Sequence, residues 1–240
     1  MEYHKRTYRN RISKGRLSSF QVTVKETDLF ISADTDCTDK ALKSVHRHRE
    51  CIEEYIRQNS SFKDSIVPVA TDPFAPAIIR EMIEASGRCG VGPMASVAGA
   101  IARHVGLDLI EHSNNVIIEN GGDIFLQLVD EGATVGIFAG DSPLSYRVSL
   151  RVPSGGSPFG ICTSSGTIGH STSFGGADAV CVTSESATLA DAAATSIGNR
   201  AKRGGDIKEA LEYGMGISGV LGVLIIMGAK LGVWGEMELG

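Results

Sequence analysis

The sequence predicts an α+β fold, and three observations predict it. Alternating apolar residues mark strands at both ends of the chain and through its middle. Helical apolar periods occupy separate stretches between them. The two kinds of segment follow one another in mixed order, without regular βα alternation. That order favours mixed and antiparallel sheets with packed helices over a doubly wound parallel sheet.

Residues 16–34 (RLSSFQVTVKETDLFISAD) alternate and turn at Glu26, Thr27 and Asp28, the pattern of a β-hairpin. Residues 39–59 place Ala41, Leu42, Val45, Cys51, Ile52, Tyr55 and Ile56 at helical spacing. A second helix is expected over 75–86, after Thr71, Asp72 and Pro73. A third, over 94–105, follows Gly90, Val91, Gly92 and Pro93 and consists of small residues that permit close packing. A strand at 116–119 ends in Asn120, Gly121, Gly122 and Asp123, and another, 124–129, leaves that turn. Strand-like patterns recur at 135–140, 146–152, 159–165 and 177–182. Residues 186–196 form an alanine-rich helix and 206–213 a last short one. Strands at 219–226 and 231–236 close the chain as a hairpin. No linker or internal repeat divides residues 1–240, so a single domain is expected.

Composition narrows the function classes. With 240 residues, 42% of them hydrophobic, the chain is long enough for a full core. The net charge of −5 argues against nucleic acid as a partner, because phosphate binding needs a broad basic face. The basic start of the chain (Lys5, Arg6, Arg9, Arg11, Lys14, Arg16) reads as a solvated arm that docks at an edge. Glycine supplies 29 residues, well above the usual share of about 7%, and clusters in loops where backbone approaches backbone or a phosphate-bearing ligand. Five scattered cysteines without a CxxC pair exclude a disulfide framework or structural zinc site. The apolar run GMGISGVLGVLIIMGA is short of the roughly 20 residues a membrane helix needs. No apolar segment follows the N-terminal charge as in a signal peptide, so no membrane partner and a cytoplasmic location are expected.

Three segments carry candidate chemistry. Asp191 and Thr195 lie four apart on the alanine-rich helix and so share a face, offering an anionic and a neutral oxygen to a hard cation such as Mg²⁺. The alanines between them leave room for a ligand to approach the backbone. The same stretch also fits a capping box with Thr188 as N-cap and Asp191 three residues on, which would make Asp191 structural. Asn120, Gly121, Gly122 and Asp123 form a turn whose amides and carboxylate can meet a ligand, although an ordinary hairpin turn reads alike. Cys162, Thr163, Ser164, Ser165, Gly166 and Thr167 set hydroxyls beside a glycine, a candidate phosphate or ribose cradle. Of the histidines, His46 and His48 face different ways on one helix, and His4, His104 and His112 read as satisfied residues. Trp234 reads as a packing anchor.

In chain order these motifs resemble the ApbE family of flavin transferases. The resemblance spans residues 92–201. It rests on Gly121, Gly122 and Asp123 for a GGD turn, Ser165 and Gly166 followed by His170, and the ADAAAT helix of residues 190–195. The segment Gly92, Pro93, Met94, Ala95, Ser96 is similar to the family's G-x-I-A-K segment, with Ser96 in place of the lysine. The resemblance implies an ApbE-like fold and an FAD- or FMN-related ligand held with Mg²⁺. It implies Asp191, Thr195 and the Ala95 carbonyl as metal ligands. His170, with Asp191, would do the catalytic work, His170 as the base for a threonine hydroxyl of an acceptor protein. Asn120, Gly121, Gly122, Asp123, Ser164, Ser165, Gly166 and Thr167 would meet the cofactor.

The chain departs from the family after His170, where Ser171-Thr172-Ser173-Phe174-Gly175-Gly176 replaces the x-x-D-P-R-T-G continuation. That places it in a divergent, cytoplasmic branch, found in anaerobic archaea and bacteria. Two functions follow from the resemblance: binding of a phosphate-bearing ligand with Mg²⁺, extending to FMN transfer, or an accessory role in assimilating sulfide into homocysteine without flavin transfer. The second has as its local motivation the set of free cysteines, with Cys162 beside the serine loop, and the missing D-P-R-T unit. A scaffold that keeps the fold without chemistry would use Asp191 only as a cap.

Overall fold

A computed structural model describes residues 17–167 and 175–240 of the chain. Its centre is an eight-stranded, wholly antiparallel sheet. The hairpin β1 (Ser18–Val24) and β2 (Thr27–Ala33) forms one edge. Then come β3 (Val116–Asn120), β4 (Asp123–Gln127), β7 (Phe159–Ser164), β8 (Ala179–Ser184), β9 (Val220–Met227) and β10 (Lys230–Gly235). A small second sheet has β6 (Ser149–Val152) at its centre, flanked by β5 (Ala133–Gly136) and β11 (Glu238–Leu239), both antiparallel to it.

Helices cover one face of the large sheet. They are α1 (Thr38–Gln58), α2 (Ser61–Asp64), α3 (Ala77–Cys89), a 3-10 turn at Pro93–Ser96, α4 (Val97–Leu109), α5 (Ala187–Gly198) and α6 (Ile207–Met215). The small sheet packs on the other face. Strand alternation sorts side chains between the two layers. Ile118, Phe125, Cys162, Val182 and Ile225 face the helices. Ile117, Ile124, Ile161, Cys181, Leu224 and Ile226 face the small sheet.

This double coverage explains the apolar run near residue 220. A strand buried on both faces reads as continuous hydrophobic sequence, and β9 is buried along most of its length. No helix among the described residues is long and apolar enough to cross a membrane.

The alanines of α5 also find their reason here. Ala187, Ala190, Ala192, Ala193 and Ala194 are all fully buried, because α5 runs through the middle of the helical layer and touches α3, α4, β7 and β8. A methyl group added at Gly160 of β7 would lie 2.4 Å from the Ala187 Cα, and one at Gly99 of α4 would lie 2.3 Å from its carbonyl oxygen. The helix is small because backbones meet across it. This corrects the expectation that the alanines leave room for a ligand.

Other boundaries shift for local reasons. The first hairpin turns at Lys25 and Glu26 rather than at 26–28, with Lys25 at φ 53°. The third expected helix begins as a 3-10 turn, since Pro93 starts it and Ser96 Oγ bonds the Pro93 carbonyl at 2.8 Å. The strands expected at 135–140 and 146–152 shrink to β5 and β6, the intervening residues forming turns around Tyr146 (φ 58°). Helix α2 and strand β11, at four and two residues, are too short to carry a period.

Candidate functional site

The β3–β4 turn is a two-residue hairpin in which Asn120 pairs with Asp123. Gly121 and Gly122 take φ values of +69° and +109°, a backbone that side-chain-bearing residues rarely adopt. Two bonds hold the turn. Glu119 Oε1 accepts the Gly122 N–H at 2.9 Å. Asn120 Nδ2 donates to the Ala98 carbonyl at 3.0 Å, which ties the turn to the start of α4.

Asp191 reaches the same place from α5. Its Oδ2 accepts the Gly99 N–H at 2.8 Å, and the Ala98 N–H also bonds it. These amides belong to the first turn of α4, which has no cap from its own Ser96 side chain. Asp191 is therefore a cap, but for the neighbouring helix. The capping box expected within α5 is absent: its N-cap is Ser186, whose Oγ accepts the Leu189 N–H at 3.3 Å. Ser186 Oγ also donates to Glu81 Oε1 at 2.8 Å, and Glu81 is held by Arg103 and His104, each at 2.8 Å. Burial raises the pKa of Glu81, but the His104 bond and the Arg103 charge outweigh it and bring it to about 2. His104 and His48 are thus engaged, His48 with Asp108 at 3.0 Å.

Asp123 and Asp191 face one another electrostatically. Burial is the main force raising both carboxyls, and the Asp191 charge, with that of Glu119, raises Asp123 further. The Gly99 and Ala98 amides pull Asp191 down without cancelling the effect, leaving it raised to about 7. The Thr163 amide of β7 and the nearby Cys162 side chain pull Asp123 the other way without cancelling the effect. Two buried carboxylates with a third nearby resist carrying full negative charge together.

The serine loop leaves the end of β7. Ser164 pairs with Val180, and a methyl group added at Gly122 would lie 3.7 Å from the Thr163 carbonyl, so turn and loop are neighbours. Ser165 Oγ accepts the Thr167 N–H at 3.1 Å, and Thr167 Oγ1 donates to Asp178 at 3.4 Å. Gly166 and Gly175 touch backbone to backbone, and Gly175 rests on the Gly198 carbonyl at the end of α5. The loop therefore sits over the C-terminal end of the helix that carries Thr195.

Of the residues singled out in the sequence, the structure brings Asn120, Gly121, Gly122, Asp123 and Asp191 together around the start of α4. Thr195 lies half-buried one turn beyond Asp191, and Ala95 lies half-buried in the 3-10 turn just before α4. Ser165 and Thr167 instead spend hydroxyl contacts on their own loop. His170 falls outside the described residues. Sequence reading missed Ala98, Gly99 and Glu119. The small residues of α4 hinted at close packing, but nothing local announced that a carboxylate would cap it from another helix. Cys162, which was singled out, is fully buried with its thiol donating to the Ala187 carbonyl at 3.2 Å. Burial and the nearby Asp123 and Asp191 push that thiol far up.

Among the described residues, no group of three or more His, Cys, Asp or Glu side chains could hold a metal ion. The donor set instead fits Mg²⁺, which commonly takes one or two carboxylates and completes its shell with water and substrate phosphate. One buried polar atom in the helix supports that fit. Thr188 Oγ1, one turn before Asp191, has no hydrogen-bond partner.

Comparison with known proteins identifies the family and the fold. A family model described as AbpE bacteria matches residues 9–239. A UPF0280 protein of Methanococcus aeolicus is 40% identical over 223 residues, covering 90% of each chain. A UPF0280 protein of Methanocaldococcus jannaschii is 39% identical over 224 residues, again covering 90% of each. Among solved structures, the flavin transferase ApbE from Vibrio cholerae superposes with a TM-score of 0.57 at 13% identity, covering 91% of this chain and 96% of that one. The apbe protein of Thermotoga maritima does so with a TM-score of 0.59 at 12% identity, covering 92% and 97%. At those identities the structures speak for the fold, and the fold is ApbE-like. The chain belongs to the AbpE bacteria family, a divergent ApbE-like family that it shares with the UPF0280 proteins of methanogens.

Proposed function

We propose that this protein binds a flavin nucleotide, FAD or FMN, together with Mg²⁺, and acts as an FMN transferase toward an acceptor protein. The observation that carries the reading is the meeting of Asp123 and Asp191 at the glycine turn. Two buried carboxylates held this close are costly when empty, and a divalent cation relieves that cost. Asp191 and Thr195, with the Ala95 carbonyl, would hold the ion, and it would supply neutralisation of pyrophosphate charge.

The chain's own residues divide the remaining work. Asp191 uses Oδ2 to fix the start of α4, so its other oxygen is oriented rather than free to rotate. Gly121 and Gly122 leave the turn without side chains, which lets a ligand approach its amides. Asn120, Asp123, Ser164, Ser165, Gly166 and Thr167 are proposed to line the nucleotide, and His170 to take the proton of the acceptor hydroxyl. The ApbE flavin transferase of Vibrio cholerae, which shares the fold, supports flavin as the ligand.

Calorimetric titration with FAD, with and without Mg²⁺, tests the proposal. Saturable binding that requires Mg²⁺ is expected, with Asp191→Ala abolishing the Mg²⁺ dependence and Thr195→Val weakening it. No heat of binding to the intact protein would remove the reading. The accessory role in sulfide assimilation gains no support from Cys162, whose thiol is fully buried with its pKa pushed up by that burial.

A further inference from the structure

The buried side chains of this protein are well satisfied, which makes the exceptions informative. Among the described residues, the buried side-chain nitrogens and oxygens without a hydrogen-bond partner are Arg49 Nε, Arg103 Nε and Thr188 Oγ1. The two arginines place their other nitrogens on Thr27, Glu26 and Glu53, and on the Glu185 carbonyl, while Arg103 Nε still ion-pairs with Glu81. Thr188 has a single hydroxyl and leaves it unpaired. Its residue is fully buried, whereas the neighbouring serine hydroxyls of α5 and its cap are engaged: Ser186 with Glu81, Ser196 with the Cys89 carbonyl at 2.5 Å.

An orphaned buried hydroxyl costs about 1–3 kcal/mol. Valine has nearly the same shape without that cost. Thr188 lies in the first turn of α5, where the carbonyl four residues back belongs to Ser184 of β8, outside the helix, and its hydroxyl bonds nothing in the protein. A group of this kind in a native structure points to a partner absent from the protein itself, such as an ion or an ordered water.

Its position says which partner. Thr188 precedes Asp191 by three residues and Thr195 by seven, so the three side chains share one face of α5. Burial grades along that face, from full at Thr188 through near-full at Asp191 to half at Thr195. Seven residues of helix span roughly 10.5 Å. No single ion can sit at Mg²⁺ bonding distance, about 2.1 Å, from both threonine hydroxyls. An ion held by Asp191 and Thr195 reaches Thr188 through water, and Mg²⁺ keeps several waters of its shell.

We propose that Thr188 is a positioning residue of the cation site, its hydroxyl holding a water of a hydrated Mg²⁺ carried by Asp191 and Thr195. The inference rests on the cation reading of that site. It deepens it by making the bound species a partly hydrated ion with its water shell directed into the helical layer.

The test pairs a stability readout with a binding readout. MgCl₂ is titrated calorimetrically into wild type, T188V, T188S and D191A, and each is melted without metal. T188V is expected to melt higher than wild type, since the unpaired hydroxyl is gone. It is also expected to bind Mg²⁺ about tenfold more weakly, the usual cost of losing a group that supports metal ligands indirectly. T188S should keep near wild-type affinity. A T188V protein that binds Mg²⁺ as tightly as wild type would overturn the proposal, and loss of binding in D191A would show that the cation site itself still stands. A lower melting temperature for T188V would overturn it as well, since the hydroxyl would then be bonded within the protein. If wild type binds no Mg²⁺, the cation reading falls and this inference with it.

Discussion

Asp191 and Gly99, 92 residues apart in sequence, are joined by a 2.8 Å hydrogen bond through which a side chain of α5 caps the main chain of α4. The contact locks two central helices together and fixes a carboxylate beside the glycine turn. Capping needs an acceptor, whereas the proposed cation site needs charge.

That division makes the two roles separable by mutation. D191N keeps an acceptor for the Gly99 amide and removes the charge, whereas D191A removes both. D191A is expected to lose about 1 kcal/mol for the missing cap, with more for the space left behind. D191N should be as stable as wild type or more so, because a buried carboxylate is no longer forced on the core. Both should lose Mg²⁺ binding. Chemical denaturation and calorimetry together check this, and a D191N protein that binds Mg²⁺ normally would leave Asp191 as a cap alone.

Gly99 tests the closeness of the helices. An added methyl group would meet the Ala187 carbonyl oxygen at 2.3 Å and Asp191 Cβ at 2.8 Å, so the backbones must separate. G99A is expected to destabilise by about 1–3 kcal/mol and to weaken ligand binding, since the cap shifts with the helix. Gly87, exposed in α3, has nothing within 4 Å of an added methyl group. G87A should therefore stabilise by about 0.5–1 kcal/mol through helix propensity alone. Equal effects of the two substitutions in urea unfolding would contradict the packing described for α5.

Thiol accessibility gives an independent check on the buried site. Cys51 is half-buried, while Cys89, Cys162 and Cys181 are fully buried. Burial pushes Cys89 and Cys181 up to about 12 and raises Cys162 strongly as well. Iodoacetamide at pH 8 should modify Cys51 first and reach those three only after unfolding, as intact mass spectrometry would report. Alkylation of folded protein at Cys162 as fast as at Cys51 would restore a thiol-based role.

The fold class and most elements were legible because their signals are local. The helix at 39–59 and the strand at 116–119 matched α1 and β3 within a residue or so, their periods being set by one buried face. The turn at Asn120 to Asp123 was equally local, since two glycines at positive φ announce themselves. The meaning of α5 was not. Its alanines answer to Gly99 and Gly160 on other elements, and its carboxylate answers to amides of α4, none of which any spacing within residues 186–196 encodes. The capping bond of Ser186 to the Leu189 N–H is local, but its second contact, Glu81, lies 105 residues away and beyond any spacing.

The paired carboxylates also predict how stability depends on pH. Asp191, raised by burial from an ordinary value of 3.8 to about 7, binds a proton in the folded state over a range where the unfolded chain has released it. Stability then falls as pH rises through that window, because the native state holds the extra proton. Asp123 is raised by burial and by the Asp191 charge, so it acts in the same direction. Glu81, which salt bridges hold at about 2 against its burial, acts oppositely: its contribution is present above an ordinary 4.5 and is lost as pH falls toward 2. Melting temperatures in EDTA should therefore decline from about pH 5 to pH 7.5. D191N should flatten that decline, and saturating Mg²⁺ should flatten it in wild type by favouring the ionised carboxylate. A profile in EDTA that D191N leaves unchanged would mean that Asp191 is ionised throughout, and that the empty site carries its charge at no cost.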